Sequence, residues 1–360
     1  MKRILSFTLM LLLLLPLSSC APKLITPYEE SAEETSTLSA APLTGSRPPL
    51  GKTEESDRVT KEAPTVPIPQ SEKEKRVLKL LILGNSHSLD AFQLLYEAFR
   101  DQAPEMDVDV ATMYYSGCSI SQHVNFATAN KPVYRYSVNK NGTWVSEEEF
   151  TMARALRKEQ WDVVLLQAAK ADLDDTLNLK NRRKLEDFVR EHIPTEHVFA
   201  WHTSWPSPND ETFFSPDYKR QPPAGYKENL IKLYGFNPVT QFSVLTQKAR
   251  DHILTDPTYA AAYCTGAAIM YAHRVLGVPQ LDLWRDYTHL NDYGRIIVAY
   301  ALYTQITGNE VKEIGLDMVP KGLRHYTLRS EGDLILTEEM KRVIIESANH
   351  ALHDPWTAIQ

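Results

Sequence analysis

The sequence predicts an α/β protein built on a doubly wound parallel sheet. Three observations carry that expectation. Short apolar runs rich in branched residues recur along the chain and stop at small or polar residues. Segments with helical spacing of apolar residues lie between them. Several runs are apolar on both faces, as strands covered by helices on both sides must be.

The elements follow in order. RVLKLLILG (76–84) is a buried strand ending in glycine, and Leu89, Phe92, Leu95 and Phe99 then recur at helical spacing. DVDVATMYY (107–115) alternates as a second strand and stops at Ser116-Gly117. Asn141-Gly142, set between β-type residues in VYRYSVNKNGTWVS (133–146), marks a hairpin inserted between the second and third units. A helix is expected over 146–159, followed by a third strand, WDVVLLQ (161–167). HVFAWHTSW (197–205) is a fourth strand, and TYAAAYC (258–264) a weaker fifth. Residues 204–226, rich in proline and aromatics, read as a long irregular loop, and long loops in compact domains are usually functional or disordered. Asn237 as N-cap and Pro238 at the first position open a helix, and another spans about 267–276. LTEEMKRVIIESANHAL (336–352) is an amphipathic helix expected to pack on the outside.

The ends of the chain differ from this middle. Residues 1–20 combine a basic start, a short apolar core and Leu17-Ser18-Ser19-Cys20. This is a secretory leader too short for a comfortable membrane span, and its end resembles a bacterial lipobox in which Cys20 is acylated. Residues 21–74 are rich in Ser, Thr, Glu and Pro and read as a disordered tether. The expected organisation is then leader 1–20, tether 21–74, an α/β domain over 75–325 and a C-terminal amphipathic helix region 326–360 packed on it. The protein is expected at the extracytoplasmic face of the cell membrane, held by lipid alone. The chain carries 43% hydrophobic and 24% charged residues, with net charge -7 and no basic stripe, which argues against a nucleic-acid partner. Cys118 and Cys264 fit either a disulfide in an exported protein or two buried thiols.

Ligands of open parallel sheets bind at the carboxyl ends of the strands. Ser86 stands just past the end of the first strand. A serine attacks an acyl carbon only when a base takes its proton and a third group steadies the base. In LWRDYTHLNDYG (283–294), Asp286 precedes His289 by three residues, a spacing that lets carboxylate and imidazole meet in one turn.

Together GNSHS (84–88), SGCSISQH (116–123) and DYTHLNDYG (286–294) resemble the ordered blocks of the SGNH (GDSL-like) hydrolase superfamily. The wording, including QWDVVLLQ and AWHTSW, looks most like an uncharacterised branch found in bacterial lipoproteins, and the resemblance covers about 76–308. It implies a flavodoxin-like three-layer α/β/α fold, here with a five-stranded parallel sheet, and a serine esterase that needs no cofactor or metal. Carried over by position, Ser86 is the nucleophile, His289 the base and Asp286 its partner. Ser86 N–H and Gly117 N–H line the oxyanion hole. Asn85 replaces the family's usual aspartate. The third block, Gly-x-Asn-Asp, is absent; the chain reads Gln167-Ala168-Ala169-Lys170, and the Gln167 amide is the expected substitute donor. His87, His123 and His202 read as packing or capping residues, and the spacing of His87, His202, Asp286 and His289 matches no zinc or iron pattern. Trp201, Trp205 and Trp284 suit either sugar stacking or the core. The expected substrate is an acylated carbohydrate or similar small ester; the alternative is a glycan-binding lipoprotein on the same fold that has lost turnover.

Overall fold

In chain order the elements are β1 (Val77–Gly84), α1 (Ser86–Phe92), α2 (Leu95–Gln102), β2 (Asp107–Tyr114), α3 (Ile120–Thr128), β3 (Tyr134–Lys140), β4 (Thr143–Phe150), α4 (Met152–Leu156), β5 (Val163–Leu166), α5 (Thr176–His192), β6 (Val198–Thr203), α6 (Tyr226–Tyr234), α7 (Pro238–Ala249), β7 (Tyr259–Cys264), α8 (Thr265–Arg274), α9 (Gln280–Leu283), α10 (Asp292–Thr307) and α11 (Glu338–His353). The computed structural model describes residues 77–167, 176–319 and 334–357. The expected leader, Cys20, the tether and Ala168–Lys170 of the third block lie outside the described residues.

One seven-stranded sheet runs in the order β4-β3-β2-β1-β5-β6-β7. The pairs β1–β2, β1–β5, β5–β6 and β6–β7 are parallel, so the five strands expected from the sequence form the parallel part. The expected five-stranded sheet is widened by β3 and β4, which pair antiparallel with β2 and with each other. The hairpin is therefore not a separate insertion. It covers the outer edge of β2, whose backbone groups would otherwise stand unpaired. Asn141 and Gly142 turn it with φ of 54° and 78°, the left-handed pair that a two-residue hairpin requires.

The helix expected over 146–159 is corrected by this pairing. Residues 146–150 belong to β4, where Ser146 faces Ser137 and Glu147 faces Tyr136, and only Met152–Leu156 is helical. Three consecutive glutamates are tolerated there because an edge strand keeps one side in solvent.

Alternate residues of β1 enter two cores. Leu78, Leu80 and Ile82 pack with Phe92, Phe99 and the apolar residues of α8, α10 and α11. Leu81 and Leu83 pack on the other face with Ile120, Leu156 and Leu185 from α3, α4 and α5. This is the three-layer α/β/α arrangement. Helix α10 is buried from Tyr293 to Ile306, so it shows almost no polar face from which its period could be read. It lies between the sheet-side helices and α11, whose Ala348 carbonyl accepts from Thr304 Oγ1 at 3.1 Å. Cys118 and Cys264 are both buried thiols at opposite sides of the parallel strands, and burial pushes the Cys264 thiol up to about 12. Among the described residues, no helix is long and apolar enough to cross a membrane.

Candidate active site

The link from β1 to α1 is tight. A Cβ on Gly84 would lie 2.0 Å from Ser88 Oγ and 3.0 Å from Gln167 Oε1, so only glycine fits between strand and helix. Asn85 then caps α1. Its Oδ1 accepts from His87 N–H at 3.1 Å, while its Nδ2 donates to the Cys118 carbonyl at 3.2 Å. One side chain thus both caps the nucleophile's helix and ties it to the turn carrying Gly117. A carboxylate could do the first and not the second, which gives the Asn85-for-Asp exchange a physical reason.

Ser86, partly exposed, is the first residue of α1. Its Oγ lies 2.8 Å from His289 Nε2. His289 Nδ1 lies 2.9 Å from both oxygens of Asp286. Asp286 Oδ1 also accepts from the backbone N–H of Thr288 (2.9 Å) and of His289 (2.8 Å), so the turn that brings acid and base together is closed by the acid itself. These three residues, 203 apart in sequence between Ser86 and His289, form one continuous hydrogen-bonded line.

The electrostatics suit a proton acceptor. Burial favours the neutral imidazole and lowers the pKa of His289, against the opposing pull of the Asp286 hydrogen bond. Burial acts to raise Asp286. The hydrogen bond and charge of His289, then the guanidinium groups of Arg285 and Arg220, outweigh it and hold the carboxyl well below its usual range. An anionic Asp286 fixes the proton on His289 Nδ1 and leaves Nε2 to accept from Ser86.

Gly117 sits in the exposed turn after β2 with φ of 60°. Cys118 N–H closes that turn on the Tyr115 carbonyl at 3.2 Å. Among the described residues neither Ser86 N–H nor Gly117 N–H has a protein acceptor; the other first-turn donors of α1 are taken, His87 by the Asn85 side chain and Ser88 and Leu89 by the Asn85 carbonyl.

Gln167 is placed beneath the nucleophile's turn. Its Oε1 accepts from Asn85 N–H (3.2 Å) and Ser88 Oγ (2.9 Å). The end of the amide facing the turn is thus its acceptor.

Other singled-out residues are resolved by burial. His123 bonds Tyr134 OH at 2.9 Å and His202 bonds Thr265 Oγ1 at 2.9 Å. Full burial pushes each down to about 3. His202 therefore faces Thr265, and both ring nitrogens of His289 are engaged by Asp286 and Ser86. Trp201, Trp205 and Trp284 are 2%, 0% and 1% exposed, so all three belong to the core and none offers a face to a sugar. Tyr114 and Tyr115, at the end of β2, are partly exposed, with the Arg135 guanidinium 4.7 Å over the Tyr114 ring and Phe126 against Tyr115.

Several residues near the site carry no motif. His87 lies between Thr288 Oγ1 (2.9 Å) and Ser204 Oγ (3.3 Å), with its ring 5.8 Å from that of His289. The 204–226 loop braces the base block from outside. Trp205 Nε1 donates to the Thr288 carbonyl at 2.8 Å, Tyr218 OH to the Arg285 carbonyl at 2.7 Å, and Arg220 stands 3.6 Å from Asp286 Oδ2. Prolines and aromatics in that loop were the available signal; which segment they would contact was not readable.

A family model described as a domain of unknown function (DUF4886) matches residues 79–234. No curated protein gives a significant match. Among solved structures, the chain is similar to a DUF4886 family protein from Bacteroides uniformis ATCC 8492, with 22% identity, 79% of this chain and 97% of that chain covered, and a TM-score of 0.61. That likeness is one of fold. A gut microbial diltiazem-metabolizing enzyme (14% identity, 67% and 49% covered, TM-score 0.38) and a two-domain esterase active on acetylated mannans (14% identity, 69% and 53% covered, TM-score 0.37) are more distant.

Proposed function

We propose that this protein is a serine ester hydrolase of SGNH (GDSL-like) type that removes a small acyl group, such as acetyl, from a carbohydrate or similar exported substrate. The observation that carries the reading is the line Ser86 Oγ–His289 Nε2 (2.8 Å) and His289 Nδ1–Asp286 (2.9 Å) at the carboxyl end of β1. His289 takes the Ser86 proton as Oγ attacks the ester carbonyl. The oxyanion forms against the N–H groups of Ser86 and Gly117, with Gln167 supporting the turn from beneath. His289 then protonates the departing alcohol, and water, deprotonated by the same imidazole, releases the acid and restores Ser86. No step calls for a cofactor.

The lipobox-like Cys20 supports placement at the extracytoplasmic face through a lipid anchor, and an exported ester is what an enzyme there would meet.

Wild-type protein should hydrolyse 4-nitrophenyl acetate and release acetate from acetylated glycans, while Ser86→Ala and His289→Ala should each remove hydrolysis and keep the far-UV circular dichroism of the fold. Wild-type rates in both variants would refute the mechanism. A second reading, a glycan-binding lipoprotein without turnover, draws on the absent Gly-x-Asn-Asp block, where the chain reads Gln167-Ala168-Ala169-Lys170. It requires glycan binding with no acetate release from any acetylated ligand.

A further inference from the structure

Asp90 lies on α1 one helical turn beyond Ser86 and is buried. Its carboxylate accepts from Arg285 Nη1 at 2.9 Å on both oxygens, from Arg295 Nε at 3.0 Å and from the Leu290 N–H at 3.0 Å, and Arg295 Nη2 stands 2.9 Å away as an ion pair. Arg285 immediately precedes Asp286, and Leu290 immediately follows His289. The same Arg285 Nη1 also donates to the Leu290 carbonyl, and Arg285 N–H donates to the His289 carbonyl at 2.9 Å. One carboxylate on the nucleophile's helix therefore grips both ends of the block that carries the base and its partner. Arg295 adds the start of α10 to the same node and is held in turn by Asp292 at 3.0 Å.

Two guanidinium groups around one buried carboxylate are a poor way to gain stability, because desolvation offsets most of the attraction; apolar side chains of similar volume commonly do as well. What an ion cluster supplies and apolar packing does not is a fixed register. Here the two segments whose register it fixes are those that bring Ser86 Oγ to 2.8 Å from His289 Nε2.

We infer that Asp90 is a positioning residue that sets the approach of the His289 imidazole to Ser86 by clamping Arg285 and Leu290 to α1. The inference rests on the reading of Ser86 and His289 as nucleophile and base. Asp90 never touches the reacting atoms. It acts through the base block, together with the other charged groups that face His289, Asp286 and Arg285.

The test compares Asp90→Asn and Arg285→Lys with a control, Asp256→Asn. The control opens a second ion cluster, in which buried Asp256 accepts from buried Arg182 Nη2 at 2.9 Å and half-exposed Arg183 Nη2 at 2.6 Å ahead of β7, at the opposite end of the parallel strands. Arg285→Lys keeps a cation on the base block, but its Nζ ends one bond short of the Nη1 position that meets both Asp90 and the Leu290 carbonyl, so it cannot reach both from the same backbone and carries the test if Asp90→Asn does not fold. Readouts are kcat and KM for 4-nitrophenyl acetate, taken below the melting range of every variant, and the downfield proton NMR resonance of the His289 Nδ1–H bonded to Asp286. A misplacement of about 1 Å costs on the order of a hundredfold. The expected result is a kcat fall of that size in both site variants, with KM unchanged and the resonance broadened or lost. Asp256→Asn should melt earlier yet keep kcat and the resonance. Wild-type kcat and an intact resonance in Asp90→Asn or Arg285→Lys would overturn the inference, as would an equal kcat fall in the control. If the wild-type protein itself turns over no ester, the triad reading fails, and the resonance alone still decides whether Asp90 places His289.

Discussion

Replacing Asn85 by aspartate restores the residue usual in the resembled family and should nevertheless harm this protein. The cap on α1 survives, since Asp and Asn cap about equally well, and an anion at a helix N-terminus adds about 0.5 kcal/mol. Against that, the Nδ2 donor to the Cys118 carbonyl at 3.2 Å is lost, and a carboxylate oxygen faces that carbonyl in a site where Asn85 is 5% exposed. Losing the bond and leaving the buried carbonyl without a donor costs roughly 2.5 kcal/mol. The net destabilisation at pH 7 is about 2 kcal/mol. A protonated carboxyl can donate to Cys118 again, so folding should raise the pKa of the new aspartate above the ordinary carboxylate value. For a carboxyl whose folded pKa is raised, the penalty is fully present above the folded value and fades as the pH falls toward the unfolded one. Urea denaturation of wild type and Asn85→Asp from pH 7.5 to 4 should therefore show a gap that is constant near neutral pH and closes by about pH 4. Asn85→Ser, which keeps a cap and lacks the tether, should lose roughly 2.5 kcal/mol at every pH. A gap that does not depend on pH, or no gap, would refute the bridging role given to Asn85.

Three further outcomes follow from the same packing. His123 and His202, pushed down to about 3, are neutral in the fold but protonate near 6.5 when unfolded, so stability should fall as the pH drops below 6.5. At pH 4.5 the two together cost about 5 kcal/mol relative to neutral pH, and a His202→Asn variant should show a shallower acid limb in calorimetry or urea titration. Gly84→Ala drives a methyl to within 2.0 Å of Ser88 Oγ and should cost about 3 kcal/mol and most of the hydrolysis, because the displaced side chain is the one bonded to Gln167. In Gly117→Ala the new Cβ meets nothing within 4 Å, so only the φ of 60° opposes it; stability should fall by about 1 kcal/mol, read by thermal melting.

The parallel strands and their order of use were legible because each is a compact apolar run stopped by a small or polar residue, and burial on both faces imposes that pattern. Asn141-Gly142 announced its hairpin for the same local reason. Residues 146–150 misled because an edge strand in solvent needs no apolar alternation, and a run of glutamates reads equally well as helix. Helix α10 escaped because a helix buried on all sides has no polar stripe. In the site, Ser86, Gly117, Asp286 and His289 are close to motifs that local chemistry demands. Asp90 and Arg285 are not: their meeting spans 195 residues and depends on the fold alone. The role of Asn85 was hidden likewise, since its partner is a backbone carbonyl that no residue type identifies.

The central claim is that His289 activates Ser86. A fluorophosphonate probe tests it without knowledge of the natural ester. Intact-protein and peptide mass spectrometry should find one adduct, on Ser86, in the folded wild-type protein and none in His289→Ala at the same exposure. An unlabelled wild-type Ser86, or equal labelling when His289 is replaced, would contradict it.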